Sequence, residues 1–322
     1  MYREVAVTST SEKIAVIGAG SIGLAFTLLF TQAGYTVHLY DSHEDALSQA
    51  KDKLFKQATL LSDSGFLNGR VDDVCARVSL HDTLASAVED VIFVQECVLE
   101  TLAIKQAVFQ QLEQHAPPTA VFASSSSALP SSAFCQHLDC APRCLVGHPG
   151  NPPFLIPVIE IVPSPHTAAA SVERARQIYT RCALKPVVLN REIKGFIFNR
   201  LQGAVLREAY SLVDDGVASV EDIDTVVKHG LGLRWSVIGP FETSDLNYRG
   251  GITDHAQRMG QAYADMAAER TDTAPWRAEL VAEVAHQRRA LLPLEQWAAR
   301  VAWRDRELLA LRVAKRSREQ QD

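Results

Sequence analysis

The first 190 residues alternate short apolar runs with longer stretches whose apolar positions recur at helical spacing. The runs are KIAVIG (13–18), TVHLYD (36–41), DVIFVQ (90–95), AVFASSS (120–126), CLVGH (144–148), VIEIVP (158–163) and KPVVLN (185–190). They are rich in Val and Ile and bounded by Gly, Asp, Asn or Pro, the pattern of buried strands. Between them, SIGLAFTLLFTQAG and HEDALSQAKDKLFKQATLLSDSG read as helices ending at Gly34 and Gly65. ETLAIKQAVFQQLEQHAPP reads as a helix stopped by a proline pair, and TAAASVERARQIYTRCA as an amphipathic helix. Strand–helix–strand alternation predicts an α/β fold: a mostly parallel sheet covered on both faces.

After residue 190 the strand pattern stops. GFIFNRLQGAVLREAYSLVDDG reads as one long helix, and SVEDIDTVVKHGLG opens on Ser219 with Asp222 in the position of a capping-box partner. The expectation is an α/β domain over residues 1–190 and an all-α domain over 191–322. A chain of 322 residues accommodates about two domains.

Composition narrows the function. The chain is 47% hydrophobic and 22% charged, an ordinary globular balance, and its net charge of −6 argues against a nucleic-acid partner. The basic segment LRVAKRSREQQD reads as a solvated helix end. No apolar run is long enough for a membrane span, and MYREVAVTSTSEK lacks the apolar stretch of a leader. The six cysteines form no CxxC pair and no His cluster has zinc spacing, so reduced thiols, a cytoplasmic location and no metal are expected.

The first strand runs into G-x-G-x-x-G at Gly18, Gly20 and Gly23, which then opens a helix. Gly18 permits the tight turn, Gly20 lets backbone approach a pyrophosphate, and Gly23 lets helix and strand pack closely. The helix start at Ser21 and Ile22 supplies free N–H groups and a positive dipole. The second strand ends at Asp41, placed to accept hydrogen bonds from a ribose 2′-hydroxyl. Ser42 and His43 follow, with no arginine for a 2′-phosphate, so NAD is expected over NADP, bound by a Rossmann-type doubly wound sheet. A dinucleotide site of this kind implies hydride transfer.

Six motifs then resemble one family in order and spacing: VIGAGSIG, ECVLETLAIK, ASSSSALPSS, GHPGNPPFLIPVIEIV, GFIFNRL and GLGLRWSVIGPFET. The chain resembles the 3-hydroxyacyl-CoA dehydrogenase family, and within it the branch that holds lambda-crystallin and L-gulonate 3-dehydrogenase. The resemblance covers most of the chain and is weakest after about residue 255. It implies that His148 is a general base and that Glu160, 12 residues later, orients it. Glu160 sits between Ile159 and Ile161, where an unpaired carboxylate is costly. The resemblance further implies that Ser127 and Asn199 bond the reacting oxygen, that Glu100 and Lys105 lie on the nicotinamide side, and that Asn151 serves cofactor and substrate. It also implies a homodimer through the helical domain.

The substrate departs from the acyl-CoA pattern. Relatives acting on CoA thioesters place a serine and a lysine where this chain has Gln57 and Ser64, with Lys56 adjacent. GLGLRW adds Arg234 and Trp235, an arginine suited to clamp a free carboxylate. A small free 3-hydroxy acid, L-gulonate-like, is therefore expected as substrate. The alternatives are a 3-hydroxyacyl-CoA dehydrogenase, a carnitine-dehydrogenase-like enzyme, and a non-catalytic crystallin-like protein.

Overall fold

The computed structural model describes residues 12–270 and 273–319. The N-terminal stretch read above as lacking a leader lies outside the described residues up to position 11, as do the last three residues of the basic tail.

The described residues form two compact units, one of those up to residue 201 together with those from 302 onward, and one of those between 202 and 301. The first is built on an eight-stranded sheet. Its strands are β1 (Lys13–Ile17), β2 (Thr36–Tyr40), β3 (Val78–Leu80), β4 (Phe93–Glu96), β5 (Val121–Ser124), β6 (Cys144–Pro149), β7 (Val158–Pro163) and β8 (Lys185–Val188). The order is β3-β2-β1-β4-β5-β6-β7-β8. Seven strands follow the apolar runs of the sequence. β3 is the addition, only three residues long and paired with β2 at the sheet edge, too short for its alternation to stand out. All pairings are parallel except β6 with β7.

That order carries the chain outward from β1 to both sides, so β1 lies between β2 and β4 at the switch point where doubly wound sheets bind ligands. Apolar residues fill both faces. Phe26, Phe30, Phe93 and Tyr179 pack on one, and Phe109, Phe122 and Phe134 on the other, all fully buried. The helix Ser21–Gln32 contributes a run of buried residues from Gly23 to Thr31, as expected for a helix pressed against a sheet. Its end follows from Gly34: the N–H of Gly34 donates to Thr31 and that of Tyr35 to Phe30, satisfying the last carbonyls.

The first unit runs past residue 190 to residue 201, into the helix Phe198–Asp214, and it takes up the C-terminal helix Trp297–Glu319 from residue 302, a second division of a helix between the units. The physical reason for the second division is plain. Leu309 is buried in the first unit's core, with Leu308 and Val313 packed against it, and Arg312 and Arg316 lie over the Phe66 ring. A buried leucine is worth about 2 kcal/mol relative to an exposed one. Helical periodicity shows which face is apolar but not which domain it covers.

The second unit is entirely helical among its described residues. Ser219 and Asp222 form the expected capping box. A π-turn, Val227–Leu231, leads into the short helix Gly232–Trp235. Polar and aromatic contacts tie the unit together: Arg270 bridges Glu208 and Asp215, and Tyr210 stacks on Trp276 at 4.0 Å. Its core is thin. Among its described residues only Val220, Thr243, His255 and Leu280 are buried, while Val226, Phe241, Leu246, Met266 and Trp297 are each more than half exposed.

Candidate active site

The strands β1, β2, β4, β5 and β6 all end on one edge of the sheet, and the chemistry gathers there. At β1, Gly18 adopts φ +112°, and a Cβ on it would lie 2.6 Å from the Cys97 carbonyl oxygen. A Cβ on Gly23 would lie 1.8 Å from the Gly18 carbonyl oxygen, so the helix can approach the turn only without one. Around Gly20 nothing lies within 4 Å of an added Cβ, which leaves a cradle open beside the backbone. Gly20 is also the N-cap of Ser21–Gln32 and brings no side chain to satisfy the first N–H groups at Ser21 and Ile22. Asp41 accepts the Ala19 N–H at 2.6 Å and the His43 N–H at 2.9 Å, which fixes its carboxylate against the glycine turn. An open cradle, uncapped N–H groups and a ribose-side acid together fit a pyrophosphate-linked dinucleotide.

The base pair lies on β6 and β7. Antiparallel pairing sets His148 directly opposite Glu160, which explains their spacing in the sequence. His148 Nδ1 and Glu160 Oε2 are 2.8 Å apart, and both residues are buried, at 5% and 2% exposure. Glu160 has a second role that the sequence did not disclose. Its Oε1 accepts the N–H of Ile197 at 2.7 Å and of Phe198 at 3.1 Å, at the start of Phe198–Asp214. A carboxylate there also meets the positive end of the helix dipole. Both donors can face it because the chain turns through left-handed backbone at Gly195 (φ 79°) and Phe196 (φ 50°). Such a conformation is costly for phenylalanine, and its buried ring lies 5.4 Å from the imidazole. Phe198 adds a second ring at 6.3 Å, so the pair sits in an aromatic, low-dielectric wall.

Gly147 has its own reason. A Cβ there would lie 2.1 Å from the Tyr179 hydroxyl, which instead reaches past it to Gln95 at 2.7 Å. Asn151 is exposed in the β6–β7 loop and precedes a cis proline, Pro152.

The serine run is more than a turn. Ser124 and Ser126 are buried and bonded. Glu100 accepts the Ser126 hydroxyl at 2.6 Å and the N–H groups of Ser127 (2.9 Å), Ala128 (2.7 Å) and Leu129 (3.2 Å). Burial pushes this carboxyl up, but the bonds from Ser126, Ala128, Ser127 and Leu129 outweigh it and hold it below the usual range. Asn199 Nδ2 donates to the Ser127 carbonyl at 3.1 Å, so the two residues expected to meet the reacting oxygen do lie together.

Lys105 requires a correction. The resemblance places it on the nicotinamide side, but its ammonium is turned into the protein. It is buried at 1% exposure and donates to both oxygens of Glu96, at 2.9 and 2.8 Å, and to Ser124 at 3.2 Å. Those three bonds use all its donors, leaving none for a nicotinamide. Glu96 was missed in the sequence, although a carboxylate closing the apolar strand DVIFVQ signals a buried partner. Arg234 is exposed on Gly232–Trp235 in the second unit, with no carboxylate partner among the described residues. All six cysteines are free thiols, and the described residues hold no cluster of metal ligands.

A doubly wound sheet with an uncapped glycine turn, a ribose-side acid and a buried His–Glu pair at one edge defines a dinucleotide-dependent dehydrogenase. The chain belongs to the 3-hydroxyacyl-CoA dehydrogenase family: residues 13–193 match its NAD-binding domain and residues 195–290 its C-terminal domain. NAD is its cofactor. The chain is 39% identical over 303 residues to a lambda-crystallin homolog of Bos taurus, covering 92% of this chain and 94% of the relative. It is 37% identical to an L-carnitine dehydrogenase of Streptomyces coelicolor over 77% of each chain. Among solved structures it is similar to 5-formyl-3-hydroxy-2-methylpyridine 4-carboxylic acid 5-dehydrogenase, an NAD+-dependent dismutase. That match has a TM-score of 0.80 and 27% identity, covering 94% of this chain and 98% of that one. No helix among the described residues is long and apolar enough to cross a membrane.

Proposed function

We propose that the protein oxidises the 3-hydroxyl of a small free 3-hydroxy acid, L-gulonate-like, to the 3-keto acid, reversibly. Held at the glycine turn and Asp41, NAD would supply the acceptor for the hydride that leaves C3 in the oxidative direction. The observation that carries the proposal is the buried bond between His148 and Glu160 at 2.8 Å. A carboxylate only accepts, so Nδ1 carries the proton and Nε2 keeps its lone pair to take the hydroxyl proton. As the imidazole becomes charged, the Glu160 anion compensates it in a site with little water. Ser127 and Asn199 orient the substrate oxygen, and Asn151 serves the cofactor side.

The free carboxylate rests on chemistry at several points. Arg234 has no acid partner among the described residues, consistent with a clamp for a substrate carboxylate and not a structural ion pair. At the positions of the CoA contacts, Gln57 carries no charge and the Ser64 hydroxyl donates to the Leu61 carbonyl at 2.8 Å. Two of the similar proteins are named for carboxylic acids, carnitine and a pyridine carboxylate. We further propose a homodimer through the second unit in a reducing, cytoplasmic compartment. A unit of this size with four buried residues among those described leaves too much apolar surface exposed to stand alone, and a second copy would cover it.

The test is a panel of free 3-hydroxy acids against acyl-CoA thioesters with NAD, followed by NADH absorbance. The free acids should show the higher kcat/KM, and Arg234→Ala should raise KM for them far more than for their esters. Faster turnover of the thioesters would establish the acyl-CoA reading instead. NADH binding without turnover of any member would establish the crystallin-like one.

A further inference from the structure

The cluster of Glu96, Lys105 and Ser124 lies beneath the serine loop at the ends of β4 and β5, and no part of the reaction above uses it. All three side chains are buried, at no more than 1% exposure. One carboxylate joins two loops. Glu96 Oε1 accepts the Val98 N–H at 2.7 Å, fixing the segment that leaves β4 toward Glu100. Glu96 Oε2 accepts the Ser124 hydroxyl at 2.5 Å, and the Ser124 oxygen accepts the Ser126 N–H at 3.2 Å. Glu100 then reaches across from the first loop and gathers three successive N–H groups of the second. The Ser127 carbonyl, held in that arc, receives Asn199. Lys105 supplies the opposing charge, 2.8 Å from Glu96 Oε2, that a carboxylate this deep needs as a partner. A buried ion pair contributes little net stability compared with apolar side chains of the same volume, so its use here calls for a role in geometry.

We propose that Glu96, Lys105 and Ser124 are positioning residues that set the serine loop, and through it Ser127, for the substrate oxygen. This rests on the reading of Ser127 given above. The device acts through bonds inside the loop ends and needs no contact with substrate or cofactor. Its members should therefore couple to Ser127, whereas merely structural residues would lower stability alone.

Ser124→Ala removes the tie between Glu96 and the loop while leaving the Glu96–Lys105 charge pair in place, so the chain should fold. In the full protein, with L-gulonate and NAD, it should lower kcat about tenfold through misplacement of Ser127, with the Kd for NADH unchanged. Hydrogen exchange of the amides of residues 126–129 should quicken. Combined with Ser127→Ala, it should add almost nothing to the loss from Ser127→Ala alone. Glu96→Gln with Lys105→Met, neutral at both positions, should reproduce the same pattern. If Ser127→Ala slows turnover while Ser124→Ala leaves it intact, or lowers it additively with amide protection unchanged, the positioning role is overturned and the reading of Ser127 stands. Full turnover by Ser127→Ala would overturn both.

Discussion

Replacing Glu160 by glutamine tests the base pair with the least change of shape. The carboxylate accepts on both sides: His148 on Oε2, Ile197 and Phe198 on Oε1. An amide has one oxygen. If that oxygen stays with the two backbone donors, the NH2 group faces Nδ1 and forces the proton onto Nε2, the nitrogen that should accept from the hydroxyl. If the amide turns round, the start of Phe198–Asp214 loses its acceptor and two N–H groups meet an NH2. Either way the compensating charge is gone. A hydrogen bond to a charged group is worth about 1.5–3 kcal/mol, and about 1.4 kcal/mol is tenfold in rate. The expected fall in kcat is therefore about 10- to 150-fold, with a loss of stability of about 1–3 kcal/mol from the unpaired donors. Steady-state kcat, NADH titration by fluorescence and a urea curve separate the effects. A variant that loses stability but keeps kcat within about twofold would leave Glu160 a helix anchor with no part in the chemistry.

The glycine turn gives a paired expectation. Gly23→Ala should cost about 3 kcal/mol or more, since its methyl meets the Gly18 carbonyl at 1.8 Å, and a lowered denaturation midpoint would show it. Gly20→Ala, with nothing within 4 Å, should keep that midpoint and instead weaken NADH binding by filling the cradle. Stability should also depend on pH through His81, whose ring lies 4.3 Å from that of His38. Burial and then the neighbouring His38 push its imidazole below the ordinary 6.5, against the pull of Asp90 and Asp82. The unfolded chain thus binds this proton more readily. Its penalty is absent above about pH 6.5 and grows as pH falls from there toward the folded value, so His81→Asn should flatten the urea-midpoint profile across that range. An unchanged profile would assign the acid loss elsewhere.

What the sequence disclosed follows from physics that is local or periodic. Seven strands are visible because Val- and Ile-rich runs are bounded by breakers, and β3 is not because three residues at an edge carry too little pattern. His148 and Glu160 were legible as a pair through the family resemblance, and the structure supplies the physical reason: an antiparallel hairpin places positions of fixed sum opposite each other, and 148 and 160 share theirs with 147 and 161. What escaped depends on long-range placement. The hold of Lys105 on Glu96 and Ser124 escaped because its helix gives no sign that the Lys face turns toward the ends of β4 and β5. The bonds of Ser124 and Ser126 escaped because serine is at home in both turns and buried networks. Glu160's hold on Ile197 and Phe198 spans 37 and 38 positions with no motif to mark it. The return of the last helix to the first unit depends on Leu309 finding one core and not another.

The central claim is that His148 moves the proton while the rest of the site binds. The most direct measurement is His148→Gln, assayed for kcat with the free hydroxy acid and for NADH affinity in the same preparation. Turnover should be abolished and the Kd for NADH unchanged. Retained turnover, or a loss of NADH binding that accounts for the lost rate, would contradict it.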